Sequence, residues 1–181
     1  YPTKKDLNNI YTYINNIDKL YIIDNTPDNE SGIIFLDNED NKKIKYIFNG
    51  ENVGVAKALN IAAKNAIQDG YNWLLTMDQD SSFSSCSIDK MKEYVTNNDM
   101  SNIGIITPWH KTKLKIQKPK EKIDYPLDVM TSGNLVNLNI YKKIGGYKDW
   151  LFIDAVDTEY CLNLWSSGYK VLRLNEIEME H

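Results

Sequence analysis

The chain reads as an α/β fold built on a mainly parallel sheet, because apolar runs of strand length alternate with segments whose apolar residues recur at helical spacing. Turn-forming pairs separate the two kinds of segment, as at Asn49-Gly50, Asp69-Gly70 and Gly145-Gly146. Two of the apolar runs end in acid, one at Asp24 and one at Asp78 and Asp80. Ligands of open α/β sheets bind beyond the carboxyl ends of strands, so these acids predict one shared crevice.

Taken in order, Leu7, Ile10, Tyr11, Ile14 and Ile17 keep helical spacing and predict a helix, after which 20–23 forms a short strand closed by Asp24, Asn25 and Pro27. The run 32–36 predicts a second strand, and the alternation of Ile44, Tyr46 and Phe48 a third. Ala56, Leu59, Ala62, Ala63, Ala66 and Ile67 mark an amphipathic helix over 53–68, which Asp69-Gly70 stops. The run 71–80 is the strand that carries Asp78 and Asp80 at its end. A helix over 88–96, a strand over 103–107 and a long lysine-rich segment follow, and 129–138 returns to strand character. The C-terminal part predicts a short helix over 140–144, a helix over 157–166 stopped by Gly168, and a strand over 169–174. No repeat or linker divides the chain, and 181 residues suffice for one domain with its own core.

Composition narrows the function classes. A net charge of -4, with Arg173 the single arginine, excludes a phosphate-tracking nucleic-acid surface. Lys111, Lys113, Lys115, Lys118, Lys120 and Lys122 nearly alternate, which reads either as a solvated loop or as a contact for an anionic lipid surface or acceptor. Cys86 and Cys161 make neither a disulfide framework nor a zinc motif. No run reaches the ~18 apolar residues of a membrane span and no signal-peptide pattern opens the chain, so the expected location is cytoplasmic.

Each candidate site residue carries a plainer reading beside the functional one. Asp24, before Asn25-Thr26-Pro27, is either turn chemistry or an acceptor for a base or ribose donor. Asp78-Gln79-Asp80 is either a capping turn or a site for a divalent metal or phosphoryl group, since two acids beside an apolar core need positive charge to offset them. An EF-hand loop starting at Asp78 would need glycine where Phe83 stands. A phosphatase of the haloacid dehalogenase type, with Asp78 as nucleophile, stays as an alternative although it expects threonine where Ser82 stands.

Asn52, Gly54 and Lys57 open the first long helix, where Gly54 permits close backbone approach and free N–H groups with Lys57 suit a diphosphate; an ordinary helix start is the alternative. The segment lacks the GxGxxG fingerprint of a dinucleotide enzyme. Asp154, Asp157 and Glu159 stand beside large apolar residues, either as cap and solvated acids or as a general base tuned by a half-buried site. His181 is either the residue of an added tag or the end of a strand that supplies a nitrogen ligand to the metal.

Six motifs in order then carry a family resemblance: Ile-Ile-Asp-Asn at 22–25, Asn-x-Gly-x-Ala-x-Ala-x-Asn at 52–60, Leu-Leu-Thr-Met-Asp-Gln-Asp-Ser at 74–81, Thr-Ser-Gly-Asn at 131–134, Asp-x-x-Asp-x-Glu at 154–159 and Gly-Tyr at 168–169. This order resembles family 2 glycosyltransferases, and within them the bacterial rhamnosyltransferases of O-antigen and capsule assembly. The resemblance implies a GT-A fold, a nucleotide-sugar donor such as dTDP-rhamnose, a glycan or lipid-linked acceptor, and a Mg2+ or Mn2+ ion. It implies that Asp24, Asn52, Gly54, Lys57, Asp78, Gly133 and Asn134 bind the nucleotide sugar, that Asp78, Asp80 and His181 hold the metal, and that Asp157 is the catalytic base of a single inverting displacement. A nucleotide-sugar-binding domain without turnover is the second alternative. The resemblance also implies one catalytic domain that starts after the family's first strand and stops before its C-terminal helices, which shape the acceptor site and touch the inner face of the membrane. One expected positive charge departs from the pattern, since Asn163 stands where family members often carry arginine.

Overall fold

The computed structural model describes residues 9–27, 42–83, 86–111 and 117–180. The expected strand at 32–36 and His181 lie outside the described residues. Parallel strands β1 (Leu20–Asp24) and β2 (Ile44–Phe48) pair with each other and precede helix α1 (Val55–Gln68). Strand β3 (Trp73–Thr76), β4 (Ser82–Phe83), helix α2 (Ser87–Asn97) and β5 (Ile103–Lys111) come next. The chain closes with β6 (Ile123–Asp124), β7 (Asn134–Asn137), helices α3 (Leu138–Ile144) and α4 (Val156–Ser166), and β8 (Lys170–Glu180).

The main sheet runs β3-β7-β5-β8-β4, with β6 also paired to β8. It is mixed, and its longest ladder, β5 with β8, is parallel, as is β1 with β2. The antiparallel pairs β3–β7, β5–β7, β4–β8 and β6–β8 are shorter. Period-2 alternation sends neighbouring side chains to opposite faces, and the register shift between Ile103 and Ile105 sends these two to opposite faces as well. Ile105, Val136 and Val171 pack under α1, α3 and α4 with Ala63, Ala66, Leu138, Tyr160 and Leu164. Ile103, Ile106 and Leu172 pack on the other face with Ile88 and Met91 of α2 and with Tyr13, Phe83, Leu174 and Met179. The result is helices on both faces of one sheet, each fully buried Leu or Ile contributing about 1.5–3 kcal/mol of transfer free energy.

Several expected elements shift, each for a physical reason. The first helix is broken: the described part has one helical turn at 9–11 and a 3-10 turn at Ile14–Asn16. The Thr12 hydroxyl donates to the Asn9 carbonyl at 2.6 Å, a local bond that competes with regular helix. Strand β5 runs on past Thr107 to Lys111, and the ladder absorbs Pro108, which has no N–H to give, by a register shift between Pro108 and Trp109. The same shift lets β8 continue past Leu174 to Glu180. The strand expected over 129–138 shrinks to β7, because Gly133 turns the chain at φ +82° and donates its N–H to the Thr76 carbonyl at 2.7 Å. At this left-handed φ a side chain would also meet the Met179 sulfur at 2.4 Å, so glycine is strongly favoured there.

Helix α1 packs against both β1 and β3, which stand at the edges of separate sheets. A cleft of about 1260 Å³ lies between them. Its walls are apolar, with Ala58, Leu59, Ala62 and Ala66 of α1 on one side and Ile88, Met91 and Val95 of α2 on the other.

Candidate functional site

Polar residues collect at the end of this cleft where β1 and β3 finish. Asp24 ends β1 and Asn25 and Thr26 follow it, Asp78, Gln79 and Asp80 follow β3, and Tyr46 and Asn52 also line the cleft. Asp24, Asp78 and Asp80, the acids of the two acid-tipped strands, thus line the same cleft. Asp24 is buried, with one carboxylate oxygen accepting from the Thr26 N–H at 2.8 Å and the other from the Tyr46 hydroxyl. Turn chemistry and site placement are thus one arrangement: the backbone and Tyr46 hold the carboxylate at the cleft. Asn25 is fixed as well, accepting from Asn49 at 2.8 Å and donating to the Gly54 carbonyl at 3.3 Å.

Asp78 and Asp80 are exposed. The Asp78 N–H donates to the Ser132 hydroxyl at 3.0 Å, and the Asp78 carbonyl accepts from Ser81 at 3.2 Å, so a tight turn presents both carboxylates. Buried His110 supports this turn from below, its Nε2 lying 2.7 Å from the Ser132 carbonyl, which makes Nε2 the protonated nitrogen. Sequence reasoning missed His110 and Tyr46; the first stood in the lysine-rich run and the second in a strand alternation, so neither looked like a support of an acid. Two carboxylates at a strand end fit a hard divalent cation such as Mg2+ or Mn2+, which takes one or two protein carboxylates and completes its shell with phosphate and water oxygens. Among the described residues no cluster of three candidate metal ligands forms, and His181 lies outside them.

At the start of α1 the chain packs against its own loop. The close approach that Gly54 permits is made by Phe152, whose carbonyl oxygen lies 2.5 Å and ring carbon 2.8 Å from where a Cβ would stand. The first N–H groups are used internally, Gly54 donating to the Asn52 side chain at 3.1 Å and Val55 to the Phe152 carbonyl at 2.6 Å. Asn52 and Val55 line the cleft, whereas Lys57 is exposed and lies outside its lining. Gly133 and Asn134 also lie outside it. Asn134 is 3% exposed and donates to the Met130 carbonyl at 2.8 Å, so both residues shape the turn under Asp78.

Asp157 is half-buried in the first turn of α4, where its carboxylate accepts from the Thr158 N–H at 2.8 Å. It stands outside the cleft lining. Its neighbours include Tyr147 and Cys161: burial pushes the Cys161 thiol up to about 12, and the Asp157 and Asp128 charges add to the rise. Burial likewise raises the Tyr147 and Tyr160 hydroxyls far above their ordinary value. Asp154 is exposed, and Glu159 keeps one buried carboxylate oxygen without a hydrogen-bond partner. Between Asp154 and α4, Ala155 holds φ +61°, the one positive φ outside glycine among the described residues, at a cost of roughly 1 kcal/mol. The loop before α4 is tied to the cleft wall through the Val55–Phe152 bond and through buried Asn60, which donates to the Tyr147 carbonyl at 2.8 Å and to Asp149 at 2.6 Å. Asn163, where a positive charge was expected, instead donates to the Ile144 carbonyl at 3.2 Å and links α4 to α3. The lysine-rich segment meets the acids of β8, Lys111 and Lys118 facing Glu178 at 3.7 and 3.9 Å and Lys122 facing Glu176 at 3.1 Å; Lys113 and Lys115 lie outside the described residues.

The sequence profile of Glycosyl transferase family 2 matches residues 5–157. The chain belongs to glycosyl transferase family 2. Among curated relatives of this family 2 chain, the dTDP-rhamnosyl transferase RfbF of Shigella flexneri is 29% identical, and the match spans 99% of this chain and 65% of that protein. The mannosyltransferase PcManGT of Pyrobaculum calidifontis, solved with GDP-Man and Mn2+, superposes with a TM-score of 0.75 at 12% identity over 98% of this chain and 52% of its own. S. aureus TarS 1-349 in complex with UDP-GlcNAc gives 0.71 at 13% identity, over 99% and 57%. These likenesses establish the GT-A fold. The family 2 chain thus spans about half to two thirds of the proteins it matches. No helix among its described residues is long and apolar enough to cross a membrane.

Proposed function

We propose that this chain is the donor-binding catalytic core of an inverting, metal-dependent glycosyltransferase that moves rhamnose from dTDP-rhamnose to a hydroxyl of a glycan or lipid-linked acceptor. The observation that carries the reading is the presence of Asp24 from β1 and of Asp78 and Asp80 from the turn after β3 in the lining of one cleft in a family 2 chain. The rhamnosyl donor is suggested by the RfbF relative. With the family established, the aspartyl phosphatase alternative has no observation in its favour.

Asp24, braced by Tyr46, faces the nucleoside, and Asn52 contributes a polar side chain to the same wall. Asp78 and Asp80 would hold the Mg2+ or Mn2+ ion, with His181 a further ligand on the family pattern. When bound, the ion offsets charge that grows on the departing diphosphate. Asp157 accepts the proton of the acceptor hydroxyl as that oxygen forms its bond to the anomeric carbon; the bond from that carbon to the diphosphate breaks, dTDP leaves, and the configuration inverts. The acceptor approaches from the α4 side, opposite the diphosphate.

A transfer assay with dTDP-rhamnose, read by NMR for the anomeric configuration of the product, tests the reading. Loss of a base worth on the order of 10²–10⁴-fold predicts that Asp157→Asn lowers kcat by that factor while dTDP affinity holds. Retained configuration, or full activity in Asp157→Asn, would sink it. Saturable dTDP binding with neither transfer nor donor hydrolysis would favour a binding domain without turnover.

A further inference from the structure

The loop between Tyr147 and α4 combines two properties that rarely coincide. It is held rigidly: Asn60 fixes Tyr147 and Asp149, Leu151 donates to the Lys148 carbonyl at 2.9 Å, Val55 donates to the Phe152 carbonyl at 2.6 Å, and Ala155 closes it in a left-handed conformation. Yet Trp150, Phe152 and Ile153 are 77%, 53% and 64% exposed. Three large apolar side chains within four residues, kept in water by an anchored backbone, mark a contact surface rather than a scattered exposure. A strained alanine at its end points the same way, since strain of this kind collects at functional sites.

Phe152 is the best placed of the three. Its backbone and one ring edge press on Gly54, and Val55, the next residue, lines the donor cleft. Five residues later the chain reaches Asp157. The loop that carries this ring thus joins the start of α1, where Val55 lines the donor cleft, to the helix that bears the proposed base. An acceptor whose hydroxyl meets Asp157 has to cover this region. A pyranose suits it, because one face of such a ring is a row of slightly positive C–H groups that lie flat on the negative face of an aromatic ring.

We propose that Phe152, assisted by Trp150, is the platform for the acceptor sugar, stacking against the C–H face of a pyranose and thereby setting acceptor specificity; this rests on the transfer reading given above. The phenyl ring acts by contact with substrate and takes no part in proton transfer.

The test measures dTDP release from dTDP-rhamnose against rising concentrations of the methyl glycopyranosides of rhamnose, glucose, galactose and N-acetylglucosamine. Wild type, Phe152→Ala, Phe152→Tyr and Trp150→Ala are compared, and dTDP affinity is titrated in each. Loss of one stacked ring predicts a roughly tenfold rise in acceptor KM for Phe152→Ala, a smaller rise for Trp150→Ala, near-recovery in Phe152→Tyr, and a dTDP affinity within about twofold of wild type. An unchanged acceptor KM in Phe152→Ala overturns the platform and leaves the transfer reading standing. Equal weakening of dTDP affinity and acceptor KM overturns it too, in favour of a structural role. A wild type that neither binds dTDP nor releases it refutes the transfer reading and the platform with it. Unchanged KM together with lost flotation on phosphatidylglycerol vesicles would assign the surface to a membrane instead, and so overturns the proposal.

Discussion

Replacing Asn60 by alanine removes the clamp that joins α1 to the loop before α4. Asn60 is 6% exposed and its amide makes four bonds: it donates to the Tyr147 carbonyl at 2.8 Å and to Asp149 at 2.6 Å, and accepts from the Tyr147 N–H at 3.1 Å and from the Tyr141 hydroxyl. Asp149 is exposed and regains water on truncation, so its share is small. Tyr141 and Tyr147 are buried, and three of their polar groups lose this partner. A buried group left unsatisfied costs about 1–3 kcal/mol, and partial entry of water into the space reduces the sum to about 3–5 kcal/mol. That is a large share of the roughly 5–15 kcal/mol that holds a domain folded. Asn65→Ala is the control, because Asn65 lies on the same helix and makes one local bond to the Ile61 carbonyl at 2.8 Å; its expected effect stays within about 0.5 kcal/mol. Urea unfolding of the two variants and wild type measures both, and hydrogen exchange at the Val55 and Leu151 amides reports whether the loop loosens. An Asn60→Ala variant within about 1 kcal/mol of wild type, with unchanged exchange at Val55, would refute the clamp.

Two further expectations follow from the same geometry. Gly54→Ala sets a Cβ against Phe152 at a φ of +81°, which predicts a loss of about 1–3 kcal/mol and a melting temperature lower by several degrees in thermal unfolding; an unchanged melt would contradict the packing. The Cys161 thiol is raised from 9.0 to about 12, so the unfolded chain releases its proton first and the thiol's contribution to stability, full below pH 9.0, is lost as pH climbs toward 12. Cys161→Ala should therefore flatten the alkaline fall in unfolding free energy, and at pH 8 only exposed Cys86 should react with a thiol reagent in the native protein; rapid labelling of both cysteines would refute this.

Much of the fold was legible because β1, β3, α1 and α2 each carry their own period and their own stop signal. Strands β4 and β6 were not, since two-residue strands have no period to read. Pro108 and the polar residues after Leu174 looked like strand ends, whereas the β5–β8 ladder tolerates them through one register shift that depends on both strands at once. The antiparallel entry of β7 between β3 and β5 is a non-local choice that no local pattern encodes. At the site, the acid-tipped strands were readable because a carboxylate beside an apolar run is costly and therefore conspicuous. Gly54 was readable as a point of close approach, but the approach of Phe152, 98 residues away, was not. Asn60 stood in a recognised motif without a role, because its partners at Tyr147 and Asp149 are 87 and 89 residues away.

The central claim is that the cleft end between Asp24 and the Asp78-Gln79-Asp80 turn binds a nucleoside diphosphate together with a divalent ion. Isothermal titration of dTDP, UDP and GDP into the full-length protein with Mn2+ present tests it most directly. The account predicts saturable one-to-one binding, strongest for dTDP, that is lost when Mn2+ is chelated and in Asp80→Ala. Absence of binding by all three nucleotides, or equal binding by Asp80→Ala with and without Mn2+, would contradict it.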